Sequence, residues 1–591
     1  MAAYQRPRYS GTYQPEARLT EPDKLNNKGC LMLNTRILPP TEQAHSTPLL
    51  IKNLLLSGVR YEARQEIVYR DISRYDYVTF NERICRLANA LTSAGVKPGD
   101  TVAVLDWDSN RYLECMFAVP MIGAVMHTVN VRLSPEQIIY TMNHADDIMV
   151  LVNSEFLPLY QAVEPQLTTV TTTILLTDGD EKTADLRGFA GEYEQLLAAA
   201  ESTYDFPDFD ENSVATTFYT TGTTGNPKGV YFTHRQLVLH TMAQASMLNS
   251  LGREQMMSNR DVYMPITPMF HVHAWGMPYT ATLLGVKQVY PGRYEPELLV
   301  ELIQREKVTY SHCVPTILQM LLNAKAADGY DFGGMKMIIG GSALPRGLYE
   351  TAGKAGIRLA AAYGMSETCP LISAGYINQE IETADEQEQI TYKIKAGVPV
   401  PLAEARLMDD EGNFLPHDGH TQGELVLRAP WLTQGYFKEP EKSAELWAHG
   451  WMHTGDVAAI DHTGSIEIRD RIKDVIKTGG EWLSSLELES LISVHPAVRD
   501  VAVVGVPDPR WDERPFALVV AAPGQPMDAS ILAAHLQPAV DDGRINKWAV
   551  PTQIAVVDEI PKTSVGKLDK KRIRVEIIGW LEQQADCISS T

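Results

Sequence analysis

The run Tyr219-Thr220-Thr221-Gly222-Thr223-Thr224-Gly225-Asn226-Pro227-Lys228-Gly229 constrains this chain more than any other segment. It packs four threonines, three glycines and one lysine into eleven residues. Glycine lets a backbone approach a ligand closely and turn its N–H groups inward. Hydroxyls add donors, and Lys228 adds a mobile point charge. Such a loop is built to hold a polyphosphate, although a hydroxyl-rich turn taken alone also suits a surface linker. A Walker P-loop needs Gly before its lysine and Ser/Thr after it. Here Pro227 precedes Lys228 and Gly229 follows it, so the loop is of another kind.

A chain of 591 residues is too long for one core, so two or more domains are expected. With 44% apolar and 21% charged residues, the composition is that of a globular protein in water. A formal net charge of −22 argues against a nucleic-acid binder, which needs a basic face. A local phosphate site remains compatible with an acidic chain. The six cysteines (Cys30, Cys85, Cys115, Cys313, Cys369 and Cys587) are scattered, with no CxxC pair. They read as reduced and the protein as cytoplasmic. Met1 to Arg18 is polar, which is not the pattern of a secretory signal. No run of about 18 apolar residues occurs, so no transmembrane helix is expected.

Residues 1–45 lack periodicity and read as an N-terminal extension. A βα rhythm then sets in. Asn81 is a candidate cap for a helix with Ile84, Leu87 and Leu91 on one face, ending near Gly95. Thr101–Asp106, Ile148–Val152, Val308–Val314, Met335–Ile339 and Ile357–Ala362 read as strands. Strands alternating with helices imply largely parallel sheets, with ligands at the strand C-terminal ends. After Arg471 the pattern changes. Ser484-x-x-Glu487 reads as a capping box opening a helix to about His495. Strands at Asp500–Val506 and Phe516–Ala521 and a helix near Ser530–Leu536 follow. The expected fold is therefore α/β. A large domain of layered, mostly parallel sheets and helices spans 46–470, and a small α+β domain spans 471–591.

The phosphate loop resembles the signature of the adenylate-forming superfamily, and further motifs carry the same resemblance over roughly residues 75 to 575. Ala362-Tyr363-Gly364-Met365-Ser366-Glu367-Thr368 is similar to its adenine motif. The resemblance implies that Tyr363 stacks on adenine, Glu367 ligates Mg²⁺ and Thr368 reaches the α-phosphate. Taken alone, Tyr363 reads equally well as an ordinary half-buried tyrosine. Where the family often has a polar residue two before this tyrosine, the chain has Ala361. Gly340-Gly341-Ser342-Ala343 closes a strand where the family's adenine and acyl pockets meet. Trp451-Met452-His453-Thr454-Gly455-Asp456 implies that Asp456 binds the ribose hydroxyls. Arg471 matches the arginine of the ribose–phosphate region, and Lys473 stands at the family's hinge. Thr220, Thr221, Gly222, Thr223, Thr224, Gly225 and Lys228 are expected on the phosphates, with Thr223 assisting the metal.

Pro561-Lys562-Thr563-Ser564-Val565-Gly566-Lys567 matches the family's terminal motif, which implies that Lys567 bridges substrate carboxylate and α-phosphate. Lys477-Thr478-Gly479-Gly480-Glu481-Trp482 matches the loop of the thiol step, with Gly480 at the pantetheine passage. The resemblance implies a two-step reaction: carboxylate plus ATP gives acyl-AMP and pyrophosphate, then a thiol displaces AMP. ATP, Mg²⁺ and coenzyme A are the implied small molecules, and a homodimer is a family-level expectation.

The acid is addressed by Phe270-His271-Val272-His273-Ala274-Trp275-Gly276, which resembles the fatty acyl-CoA synthetase branch. His271 is then expected near the carboxylate, Val272, Gly340 and Gly341 along the acyl pocket, and Trp275 as its gate. The alternating His271 and His273 also raise a metal site, and Trp275 alone could be core packing. No Asp stands at 271–276 to hold an amino group, which disfavours an amino acid. The leading expectation is a medium- or long-chain fatty acyl-CoA synthetase. The alternatives are an adenylating enzyme for an aryl or other acid with a carrier-protein thiol, and a nucleotide-binding protein that has lost turnover.

Overall fold

The computed structural model describes residues 36, 38–179, 187–220, 226–250, 255–478, 481–563 and 568–578. The chain divides into two compact units, Met1–Thr47 and Pro48–Thr591. In the first, the described residues are exposed, with one turn closed by Ala44 N donating to Thr41 O.

In the second unit, helices and strands alternate and build two large sheets. The seven-stranded sheet has at its centre Asp147–Asn153, Thr101–Leu105, Val125–Thr128 and Val214–Thr220, all paired in parallel. Thr101–Leu105 is buried along its whole length, as its unbroken apolar run requires of a strand covered on both faces. Lys228–Thr233 adds an antiparallel edge on Val214–Thr220, with Thr220 opposite Lys228. The strands flanking the Thr/Gly-rich run thus pair as a hairpin. The loop's tip, Thr221–Gly225, lies outside the described residues.

The nine-stranded sheet runs in parallel from Arg358–Gly364 through Lys336–Ile339, Tyr310–Cys313 and Val262–Pro265. Four antiparallel strands form a separate sheet that includes Met452–Ile460 and Ile466–Arg471. A last sheet of five strands pairs Val498–Asp508 with Asp512–Ala521 and carries the short hairpin Ile476–Thr478/Glu481–Leu483. Its own apolar clusters draw only on residues between Ile476 and Ile577, so this smaller C-terminal domain has a core of its own. The strand Ile466–Arg471, last of the four-stranded sheet, runs across the expected boundary at 470/471, and this hairpin begins at Ile476.

A buried polar network crosses that segment. Asp470 Oδ2 accepts from Ser485 N (2.7 Å) and Ser485 Oγ (2.6 Å). Lys570 Nζ donates to Ser485 Oγ (2.6 Å) and pairs with Glu489 (2.8 Å). Ser484 caps the helix Ser485–Ser493 by accepting from Glu487 N, as its spacing predicts.

One expected cap is corrected. The helix over 77–93 begins at Asp76, whose side chain accepts from Thr79 N at 2.9 Å. Asn81 lies inside that helix. Tyr77 and Phe80 belong to the same buried face as Ile84, Leu87 and Leu91, so the apolar stripe starts a turn earlier than Asn81. No described helix is long and apolar enough to cross a membrane. Cys85, Cys115, Cys313 and Cys369 are unpaired and buried, and Cys30 and Cys587 lie outside the described residues. Asp76→Ala should cost about 1 kcal/mol through loss of the cap. Asn81→Ala should stay within about 0.5 kcal/mol. Thermal melting of the two variants in parallel checks the order.

Candidate active site

The sheets meet at a cleft of 1870 Å³ between the large and small domains. Its rim is assembled from residues distant in sequence. Tyr363, near the end of Arg358–Gly364, donates its hydroxyl to Asp456 Oδ2 at 2.6 Å. Asp456 stands opposite Arg471 in the antiparallel pairing, and Arg471 Nε approaches its Oδ1 at 3.5 Å. Burial and the Asp456 charge push the Tyr363 hydroxyl well above its ordinary pKa, so it stays a donor. This edge of the cleft is therefore a carboxylate held between a phenol and a guanidinium.

A second polar chain lies on the phosphate-loop side. Lys228 Nζ sits 4.4 Å above the Tyr436 ring. Tyr436 in turn donates its hydroxyl to Glu367 Oε1 at 2.7 Å. Glu367 is nearly buried yet borders the cleft. Lys473 joins this group from the interdomain segment. Burial holds its ammonium below the usual lysine range, and repulsion from Arg471 and Lys228 adds to this. Cations from the loop strand, the four-stranded sheet and the interdomain segment thus converge on one cavity. An anion entering it relieves their mutual repulsion.

One further stretch of the wall is largely apolar. Gly340, Gly341, Ser342 and Ala343 follow the strand Lys336–Ile339 into the cleft. A Cβ on Gly340 would lie 3.0 Å from Ala362 O and 3.2 Å from the Trp275 ring. Only glycine therefore leaves Trp275 in place there. Val272, His273, Ala274 and Trp275 have φ of 48°, 56°, 47° and 60°. The segment that follows His271 is thus a left-handed turn, closed by Gly276 at φ 70°. Side chains at positive φ are disfavoured by about 1–2 kcal/mol each. The turn is held from outside. Asp108 accepts from Met269 N at 2.8 Å, Thr128 Oγ1 donates to Phe270 O at 3.1 Å, and Gln244 Nε2 donates to Trp275 O at 3.0 Å. Burial pushes the Asp108 carboxyl up to about 7.

The alternation of His271 and His273 does not place them on one strand face. His271 borders the cleft, while His273 is wholly buried between Phe218 and Tyr279. Among the described residues no cluster of three or more His, Cys, Asp or Glu could hold a metal. The two imidazoles thus stand in different surroundings, one at the cleft and one in the core.

Thr220, Lys228, His271, Val272 and Trp275 line the cleft, as do Ala362, Gly364, Met365 and Ser366. Thr368 is fully buried behind this rim. Its hydroxyl accepts from Met365 N at 2.9 Å and donates to Pro370 O. Lys477 is exposed on the hairpin strand Ile476–Thr478 of the five-stranded sheet, its N–H on Glu513. Glu481 and Trp482 form the hairpin's other strand. Gly479, Gly480 and Lys567 lie outside the described residues, as do Thr221, Gly222, Thr223, Thr224 and Gly225. Reading the sequence missed Tyr436, Asp108, Gln244 and His312. Each acts through a fold-made contact, and no local spacing marks it.

Known proteins resemble the chain along most of its length. Residues 57–437 match the AMP-binding enzyme family, and residues 487–567 match the AMP-binding enzyme C-terminal domain. The chain belongs to the AMP-binding enzyme family. It is 40% identical over 518 residues to the long-chain-fatty-acid–CoA ligase of Thermus thermophilus, covering 86% of this chain and 92% of that one. It is 39% identical over 542 residues to the 3-methylmercaptopropionyl-CoA ligase of Ruegeria lacuscaerulensis, covering 90% and 98% respectively. Its fold matches a crystal structure of the anthranilate CoA ligase AuaEII in complex with anthranoyl-AMP. There the TM-score is 0.78 at 23% identity, over 90% of this chain and 98% of that one. Tyr363→Phe deletes one charge-assisted bond at Asp456 and should weaken AMP binding roughly 10-fold. Calorimetric titration with AMP reads this directly, and an unchanged Kd would remove Tyr363–Asp456 from the nucleotide site.

Proposed function

We propose that the protein is an AMP-forming acyl-CoA synthetase that activates an aliphatic carboxylic acid of medium or long chain. One observation carries this reading: a cation-lined rim (Lys228, Arg471, Lys473) and an apolar wall (Val272, Trp275, Gly340) share one cleft. Such a cleft fits a molecule that is polyphosphate at one end and alkyl at the other.

A carboxylate is a poor acyl donor because its oxygen leaves badly. Attack of the carboxylate on the α-phosphorus of ATP, with loss of pyrophosphate, replaces that oxygen with AMP. The reacting groups are anions, so the enzyme's task is positioning and charge neutralisation. In this reading Tyr363 and Asp456 hold the adenosine, with Arg471 beside the ribose. Lys228 and the threonines of its loop hold the β- and γ-phosphates. His271 stands where the carboxylate arrives.

Mg²⁺ commonly binds through one carboxylate and substrate phosphates, so Glu367, steadied by Tyr436, fits it without a ligand cluster, with Thr223 as second expected contact. When bound it neutralises charge on the phosphate oxygens. In the second step the CoA thiolate attacks the acyl carbonyl, a C–S bond forms, and AMP leaves. The catalytic Lys567 belongs to the first step and the Gly479–Gly480 loop to the second. Exchanging them calls for a turn of the small domain about Lys473.

Two tests address the reading. Pyrophosphate release from MgATP should depend on an aliphatic acid, should exceed release with benzoate, and should continue through many turnovers only when CoA is present. Sustained release without CoA, or with benzoate alone, would reject it. The second test separates the steps. Lys567→Ala should slow acyl-AMP formation by at least about 100-fold while still converting pre-made acyl-AMP and CoA to thioester. Gly480→Leu should show the opposite: a retained burst of pyrophosphate and no thioester by chromatography.

A further inference from the structure

Among the polar residues of the apolar wall, His312 has a buried nitrogen that the reaction above does not use. His312, on the strand Tyr310–Cys313, lines the same cleft as Trp275 and Gly340. Its ring lies 5.0 Å from the Trp275 ring. Around it are Leu248, Met277 and Ile338, all buried side chains bordering the cleft. The imidazole is 0% exposed, and its Nε2 shares a hydrogen bond of 2.8 Å with the Tyr263 hydroxyl. Nδ1 is buried and has no hydrogen-bond partner among the described residues. Gln244, the nearby polar residue of this wall, is already engaged with Trp275 O and Thr280.

An unpaired buried nitrogen is costly, and an apolar residue of similar shape would avoid that cost. A site built to hydrogen-bond a substrate group rejects analogues that lack it far more sharply than an apolar pocket separates chain lengths. Desolvation holds the His312 imidazole far on the neutral side, at about 3, so Nδ1 offers one hydrogen bond of either sense. Whether Nδ1 is donor or acceptor is fixed by how Tyr263 orients its hydroxyl. A substrate hydroxyl, being both donor and acceptor, answers either tautomer.

We infer that His312 is a specificity-determining residue, and that the acid this pocket takes is an aliphatic acid with a hydroxyl on its chain, received at His312 Nδ1. The inference rests on the acyl-CoA synthetase reading and narrows its substrate class. The preference follows from the hydrogen bond. An unsubstituted chain passing His312 leaves Nδ1 unpaired, while a hydroxyl at that depth pairs it.

The test is acid-dependent pyrophosphate release with CoA, for straight-chain acids of graded length and the same acids carrying one hydroxyl at successive carbons. The expected result is that one hydroxyl position raises kcat/KM roughly 10-fold over the unsubstituted acid. His312→Phe, which keeps a ring against Trp275, should abolish that advantage and favour the unsubstituted acid. A rise in Tm with ATP verifies that the variant is folded. The inference is overturned if wild-type enzyme turns over unsubstituted acids with no gain from a hydroxyl at any position. It is also overturned if the gain survives in His312→Phe. Silence with every acid rejects the synthetase reading and the inference with it, so the two failures are told apart by whether unsubstituted acids react.

Discussion

The hydrogen bond from Tyr363 to Asp456 joins two sheets of different construction. Tyr363 is near the end of a parallel strand, and Asp456 sits in an antiparallel one. Where they meet, backbone ends and charged groups crowd one small space. A phosphate ligand needs this crowding, because its charge is met by cations that repel each other in its absence. Arg471, Lys228 and Lys473 come from three separate elements. Burial and mutual repulsion already hold Lys473 below the usual lysine range. The cleft thus gathers these cations beside the carboxylates of Asp456 and Glu367 where the sheets meet.

Several parts were legible in the sequence because they are local. The alternation of apolar strands with amphipathic helices sets the parallel sheets. The capping Ser484 and the glycine-rich strand ends announce their own geometry. Tyr363, Glu367 and Asp456 were singled out by the family resemblance of their segments, and the fold brings all three to the cleft. The helix start at Asp76 was missed because two cap residues compete there. The decision lay with Tyr77 and Phe80, which extend the buried face by a turn.

What stayed hidden acts across long separations. Tyr436 reaches Glu367 across 69 positions, and Asp108 reaches Met269 across 161. No periodicity or motif links such pairs, since their contact exists only once the sheets are stacked. The left-handed turn after His271 was hidden for another reason. Valine, histidine, alanine and tryptophan each disfavour positive φ, so local propensity points away from it. Packing overrules that propensity at this apolar wall.

That override has a consequence for selectivity. A wall whose backbone is held against its own preference by Asp108, Thr128 and Gln244 has its shape before any acid arrives. The incoming chain then loses little binding energy to ordering the protein, because folding has already done the ordering. The contour of this wall is accordingly a property of the folded apoprotein, cast in advance by the hydrogen bonds behind it.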